Sequence, residues 1–292
     1  MPRAVAARRR LCESGVMVDH VPAGEIDAYA RVARAGVAAA AEHLRAAAAA
    51  PRRIERKGAI DLVTDTDRAV ETLLTARLRA AFPDHIVIGE EASAAAGARR
   101  PPAERWAWYL DPLDGTTNFA HGHPHFAVSL ALARGAELVL GLVCDPLRDE
   151  TFAAVRGRGA TLNGTPIRVS PVGALDDALL ATGTPYDRRE RADQYLGVIR
   201  AFMVRCQGIR RAGSAALDLC WLACGRVDGY WEWRLGPWDM AAGALIVREA
   251  GGVVSDFRGA AHDLFGSETL ASNGVLHGQM LRVFAAAPVA SA

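Results

Sequence analysis

Two apolar runs, Phe126 to Ala133 and Leu138 to Cys144, are separated only by Arg134-Gly135-Ala136-Glu137, the pattern of a long buried β-hairpin. A hairpin makes its strands antiparallel, and this one sits among helix-period segments. A doubly wound parallel sheet is therefore excluded. The pattern calls for layered α and β with mixed sheets, an α+β chain.

On the N-terminal side of the hairpin, apolar residues recur at Ile26, Tyr29, Val32, Ala33, Val37, Ala40 and Leu44, and Pro51 stops this first amphipathic helix. A second helix is predicted from about Asp67 through Val70, Leu74 and Leu78 to Phe82, closed by Pro83. Ile86 to Ile88 and Trp106 to Leu110 read as strands, with a loop over Ala92 to Ala103. Beyond the hairpin, strands are expected at Thr151 to Val155 and Ile167 to Ser170, with turns at Gly157, Gly159 and Asn163-Gly164. The second half alternates. It has a strand at Leu179 to Thr182, helices over Arg191 to Arg205 and Ser214 to Cys224, and a strand at Val227 to Trp233. A helix over Asp239 to Ala250, strands at Val253 to Phe257 and Thr269 to Ser272, and a last helix complete it. No internal repeat or linker interrupts it, so the expected division is an arm over 1–22, one half over 23–170 and another over 171–292, packed as one compact unit.

With 51% hydrophobic residues and a net charge of +1, the chain can bury a full core and carries no basic excess of the kind that tracks nucleic acid. Five cysteines without a C-x-x-C pair fit a reducing cytoplasm, and no run approaches a membrane span. Arg8, Arg9 and Arg10 are not followed by the apolar stretch of a signal peptide; Met17 is an alternative start.

Local charge carries the functional information. Asp111-Pro112-Leu113-Asp114-Gly115-Thr116-Thr117-Asn118-Phe119 follows the strand at Trp106 directly. Two carboxylates at the end of a buried strand are costly to desolvate unless a cation or donor compensates them. Oxygen ligands of this kind suit Mg²⁺, which binds at about 2.0–2.1 Å and keeps phosphate oxygens and waters in its shell. Gly115 allows a tight turn, so that its N–H and that of Thr116 face an anion. Asp61, Asp65 and Asp67, the pair Glu90-Glu91, and Asp239 in Trp238-Asp239-Met240-Ala241-Ala242-Gly243 lie at comparable ends of elements. Each of these is open to two readings, helix cap or ligand. His121, His123 and His125 match metal-ligand types, yet read here as a connecting loop.

Residues 111–119 and 238–243 together resemble the two signatures of the inositol monophosphatase family, with bacterial SuhB-type members similar over Gly225 to Glu232. Asp61 to Asp67, Gly89-Glu90-Glu91 and Gly213-Ser214-Ala215-Ala216 stand in the family's order. The resemblance implies an αβαβα sandwich of the inositol monophosphatase and fructose-1,6-bisphosphatase type. It implies Mg²⁺-dependent hydrolysis of a small polyol phosphate, inositol 1-phosphate first. Glu90, Asp111 and the Leu113 carbonyl would hold one Mg²⁺; Asp111, Asp114 and Asp239 would hold another, and some members take a third and are inhibited by lithium. Glu90 and the Thr116 hydroxyl, oriented by Asp67, would activate water. Leu113, Asp114, Gly115 and Thr116 would meet the phosphate, and Arg210, Gly213, Ser214, Ala215 and Glu232 the polyol. Lys57 matches a lysine near the phosphate entrance, and a homodimer is the family's expected state. Fructose 1,6-bisphosphate, 3′-phosphoadenosine 5′-phosphate and histidinol phosphate are alternative substrates. A role as an interaction partner of RNA polymerase or the ribosomal-RNA machinery is a further alternative, supported by the basic arm and Arg210-Arg211.

Overall fold

The computed structural model describes residues 22–49, 54–56, 62–93 and 97–287. Lys57, Asp61 and the arm before Pro22 lie outside the described residues. The first elements are α1 (Ala23–Ala48), the antiparallel pair β1 (Ile54–Arg56) and β2 (Leu62–Thr64), α2 (Asp65–Ala81) and β3 (Ile86–Gly89). The single turn α3 (Glu90–Ser93), β4 (Trp106–Asp114) and the short α4 (Thr116–His121) come next. The predicted hairpin is present as β5 (Ala127–Arg134) and β6 (Glu137–Asp145), continued by β7 (Glu150–Val155), β8 (Ala160–Leu162) and β9 (Thr165–Pro166). The second half comprises β10 (Leu179–Thr182), α5 (Arg188–Met203), β11 (Gly208–Arg210), α6 (Ala215–Ala223), β12 (Gly229–Trp233), α7 (Pro237–Glu249), β13 (Val253–Ser255), β14 (Glu268–Ser272) and α8 (His277–Ala286).

A seven-stranded sheet runs β3-β4-β5-β6-β7-β8-β9 and a five-stranded sheet runs β11-β10-β12-β14-β13. The first is antiparallel except between β3 and β4; the second is parallel where β10 meets β11 and β12. Alternation along β4 builds two layers at once. Trp108 and Leu110 pack with Val37, Leu44 and Leu74 of α1 and α2, while Ala107 and Tyr109 face the cluster of α6 and α7. Strand β12 does the same on the far side: Tyr230 joins that middle cluster, and Trp231 and Trp233 join Tyr195, Phe202 and Phe284 of α5 and α8. The layers are thus helix, sheet, helix, sheet, helix: an α+β sandwich with mixed sheets.

The middle layer is thin because its residues are small. A Cβ on Gly243 would lie 2.6 Å from the Leu219 Cβ, so only glycine lets α7 close on α6.

One expectation needs correction. Ile167 to Ser170 forms no strand, because Ile167 N–H donates to the Ala160 carbonyl and Val169 N–H to that of Ala250, so the segment ties two elements rather than joining a ladder. The Asn163-Gly164 turn instead carries the short pair β8 and β9. Strands β1, β2 and β11 are each three residues long, too short for a periodic signal.

Candidate active site

Strand β4 ends in an irregularity that aims its acids. Asp111 pairs with Ser129 and Asp114 with Ala127, so three steps on β4 match two on β5. In a regular strand, side chains three apart face opposite sides; a bulge removes that parity and lets both carboxyl groups serve one cleft. Gly115 follows at φ 98°, and a Cβ there would approach the His125 carbonyl to 3.0 Å and that of Gly213 to 3.2 Å. Glycine is required by both the turn and the close approach.

The cleft has a volume of about 390 Å³, and its floor includes Glu90, Asp111, Asp114, Thr116, Glu232 and Asp239. Leu113, Gly115, Gly213, Ser214 and Ala215 also line it. Asp67 is fully buried behind this wall and reaches the cleft through Thr116, whose hydroxyl lies 3.0 Å from Asp67 Oδ1 and 3.0 Å from the Leu113 carbonyl. One hydroxyl proton faces two acceptors, so the Thr116 oxygen is held fixed with its remaining lone pair available.

Three of the acids, Asp111, Asp114 and Asp239, accept from backbone donors. Asp111 Oδ1 accepts from Leu113 N–H at 2.9 Å. Asp114 Oδ2 accepts from the Ser214 hydroxyl at 2.5 Å and Ala216 N–H at 2.7 Å, at the first turn of α6. Asp239 Oδ2 accepts from Gly236 N–H at 2.7 Å, half of a capping box. Asp239 is therefore both cap and cleft residue.

Burial pushes the Asp111 carboxyl well above the ordinary carboxylate range, with the charges of Glu90, Asp114 and Asp239 adding to it. Asp239 is raised by the same causes, first burial and then Glu90 and Asp114. Burial lifts Asp114 to about 6 against its hydrogen bonds from Ser214 and the α6 backbone. It lifts Glu232 to about 7, opposed by the Tyr230 hydroxyl at 2.5 Å and by Arg211. Among the described residues no three His, Cys, Asp or Glu side chains cluster tightly enough to hold an ion as they stand. The donor set, carboxylates and one carbonyl, is nevertheless hard oxygen throughout and fits Mg²⁺.

Three supporting residues surround the cleft, and two of them, Glu71 and Asp218, have no signal of their own in the sequence. Glu71 of α2 is buried and accepts from Glu91 N–H and Ala92 N–H, both at 2.8 Å, which pins the turn carrying Glu90. Its place on the inner face of α2, beside Val70 and Leu74, is the only hint a pattern search could have used. Asn118 Nδ2 donates to the carbonyls of His125 at 2.7 Å and Ala212 at 2.8 Å, tying α4 to the Gly213 loop. Asp218 is buried in α6 near Glu232 and Asp114, its carboxyl well above the ordinary range through burial.

Arg210 lies elsewhere. It ends edge strand β11, exposed, with Nη1 on the Ile209 carbonyl at 3.3 Å; Arg211 lines the cleft instead and donates to Thr184 Oγ1 at 3.1 Å. Adjacent residues at a strand end point apart, so only one of the pair can enter. Of the histidine loop, His125 is buried, with burial and then Arg148 pushing it down to about 4; none of the three histidines lines the cleft.

The inositol monophosphatase family model matches residues 9–288. The chain belongs to the inositol monophosphatase family. It is 48% identical over 222 residues to Nus factor SuhB of Pseudomonas aeruginosa, covering 75% of this chain and 81% of that one. It is 41% identical over 265 residues to inositol-1-monophosphatase of Synechocystis, covering 90% and 91%. The solved suhB extragenic suppressor protein of Bartonella henselae superposes with a TM-score of 0.82 at 37% identity, over 88% of this chain and 98% of that one. Inositol monophosphatase of Anabaena gives 0.81 at 36%, over 91% and 98%. Membership makes the chain a phosphatase acting on phosphate esters, in a family that generally uses Mg²⁺. Among the described residues no helix is long and apolar enough to cross a membrane.

Proposed function

We propose that this inositol monophosphatase family member hydrolyses a small polyol phosphate monoester, inositol 1-phosphate foremost, in the cytoplasm and as a homodimer. The observation that carries the reading is the Thr116 hydroxyl, fixed by Asp67 and the Leu113 carbonyl beside the acid floor. Glu90, Asp111, the Leu113 carbonyl, Asp114 and Asp239 would hold two Mg²⁺, with room for a third, and the ions would supply positive charge to the phosphate and the departing oxygen.

Around that charge the chain's own groups divide the work. Glu90 and the Thr116 hydroxyl, held by Asp67, orient a water, and the Glu90 carboxylate accepts its proton; the new P–O bond forms as the P–O bond to the alcohol breaks, and the departing oxygen takes up a proton from solvent water. Gly115 and Thr116 N–H groups face the phosphate oxygens. Glu232 accepts from a ring hydroxyl, and Gly213, Ser214 and Ala215 shape the wall beside it.

Phosphate release from inositol 1-phosphate with Mg²⁺, its inhibition by Li⁺, and its loss in Thr116→Ala test the reading. No release from inositol 1-phosphate or β-glycerophosphate would defeat it. A second reading, contact with RNA polymerase, draws on the similarity to proteins named Nus factor SuhB and on the exposed Arg210. Co-purification that is lost in Arg210→Ala would support it.

A further inference from the structure

The two ends of the cleft carry opposite charge. The acids include the buried Asp111 and Asp114, whereas the lining at the mouth reaches the exposed Arg234 and Tyr186, with Asp187 and Arg188 beside them. Arg211 belongs to the inner part, since it lies against Gly213 and faces Glu232.

Arg234 is placed with care. Its backbone is left-handed at φ 57°, a conformation that an arginine adopts only under constraint, and its N–H donates to the Ser267 carbonyl at 2.8 Å. Its Nε stands 3.2 Å from Asp187 Oδ2 and Arg191 Nε 3.3 Å from the same oxygen, ion pairs held by charge without hydrogen-bond geometry. The Tyr195 hydroxyl donates to Asp187 Oδ1 at 2.6 Å. One carboxylate is thus shared by two guanidinium groups, and Arg188 adds a third positive charge close by, near the Tyr186 ring. The mouth keeps a positive excess. An arginine engaged through Nε also retains its two Nη groups, the fork that grips paired anionic oxygens.

We propose that Arg234, paired with Asp187, forms with Arg188 an anion subsite at the mouth of the cleft, so that of two phosphate monoesters sharing the same ester the one with an additional anionic group binds more tightly than its neutral counterpart. The inference rests on the phosphatase reading and deepens it. The acids on the floor belong with the ester under attack, because only a cation-supported phosphate can approach them. A second phosphate or a carboxylate, which share anionic oxygens in one plane or tripod, would meet the arginines.

Matched substrates test this. Fructose 1,6-bisphosphate and fructose 1-phosphate share the same ester and differ by a phosphate; 3-phosphoglycerate and glycerol 3-phosphate share theirs and differ by a carboxylate. The expected result is a kcat/KM at least about tenfold higher for the member of one pair that carries the second anionic group, an effect mainly on KM. The pair that shows it identifies the second group. Arg234→Asn, chosen because asparagine tolerates the left-handed backbone, should bring that ratio towards one, whatever it does to the shared ester. Asp187→Asn should reduce the ratio less. Equal kcat/KM within both pairs, or a ratio unchanged in Arg234→Asn, overturns the subsite. If no substrate is hydrolysed, the phosphatase reading fails, and calorimetric titration of fructose 1,6-bisphosphate still decides the subsite: binding about tenfold weaker in Arg234→Asn supports it, and equal binding refutes it.

Discussion

The two faces of β12 are built from consecutive residues and serve opposite ends. Trp231 and Trp233 face α5 and α8, where Trp231 stacks on Phe202 at 4.3 Å between centroids and Trp233 meets Phe257 edge-on at 4.9 Å. Tyr230 and Glu232 face the other way, and there a phenol and a carboxyl are buried together beside Asp218 and Asp114. One face buries aromatic surface, with the Trp231 indole N–H as its single unpartnered polar atom among these residues. The other holds desolvated acids whose repulsion is relieved only by protons, by neighbouring donors or by a cation. Stability and chemistry are separated by a single step of the strand, and substitutions on the two faces should fail in different ways.

The largest expected effect is on the chemical face. Asp111→Asn removes a charge from the centre of the acid floor while keeping its shape, and kcat should fall by about 10³-fold, roughly 4 kcal/mol in barrier. Its melting temperature should hold or rise, because a repelling charge is gone. Steady-state kinetics beside thermal melts would show this, and near-normal turnover would eliminate the proposed site. On the structural face, Trp231→Ala should cost about 3–5 kcal/mol of stability through the cavity it leaves. Urea denaturation measures that, and a loss below about 1 kcal/mol would mean that the aromatic layer is not the anchor argued for here.

Thr116→Ala should lower kcat by about 10²-fold with small change in stability, whereas Thr116→Ser restores most of the rate by returning the hydroxyl. Equal rates in the two variants would break the link from Asp67. Glu232→Gln should raise KM by about fivefold, near 1 kcal/mol, and leave kcat nearly alone, since a ring-hydroxyl contact acts in ground and transition states alike. The smallest effect concerns pH. The Glu232 carboxyl, at about 7 when folded against 4.5 ordinarily, binds more protons in the native state than in the unfolded chain between those values. Its contribution is therefore fully present below pH 4.5 and lost as pH rises through about 7. Melts without metal should show a declining Tm across this window, flattened in Glu232→Gln, and Mg²⁺ should stabilise more at pH 8 than at pH 5. A Tm rising over the same range would contradict the assigned burial.

Much of this was legible in advance where periodicity and turn chemistry act locally. The hairpin of β5 and β6, the amphipathic α1 and α2, and the small-residue α7 follow from which residues are apolar and how they repeat. The acids of the cleft were legible as clusters at ends of elements. Arg211, Glu71 and Asp218 were not, because nothing in their neighbours says which way they point. Arg210 and Arg211 are indistinguishable as letters; only the end of β11 separates them.

The amino-acid order by itself determined the layered class, the main helices and strands, and the identity of the acidic groups, because each depends on contacts within a few residues. Tertiary structure alone decided that Asp111 and Asp114 share a cleft through a bulge registered on β5, and that Asp67 supports Thr116 from forty-nine residues away. It also decided that Asp187 holds the arginine at the mouth. The reason is physical: register, burial and desolvation are properties of surfaces brought together from distant parts of the chain, and they do not exist until the layers pack.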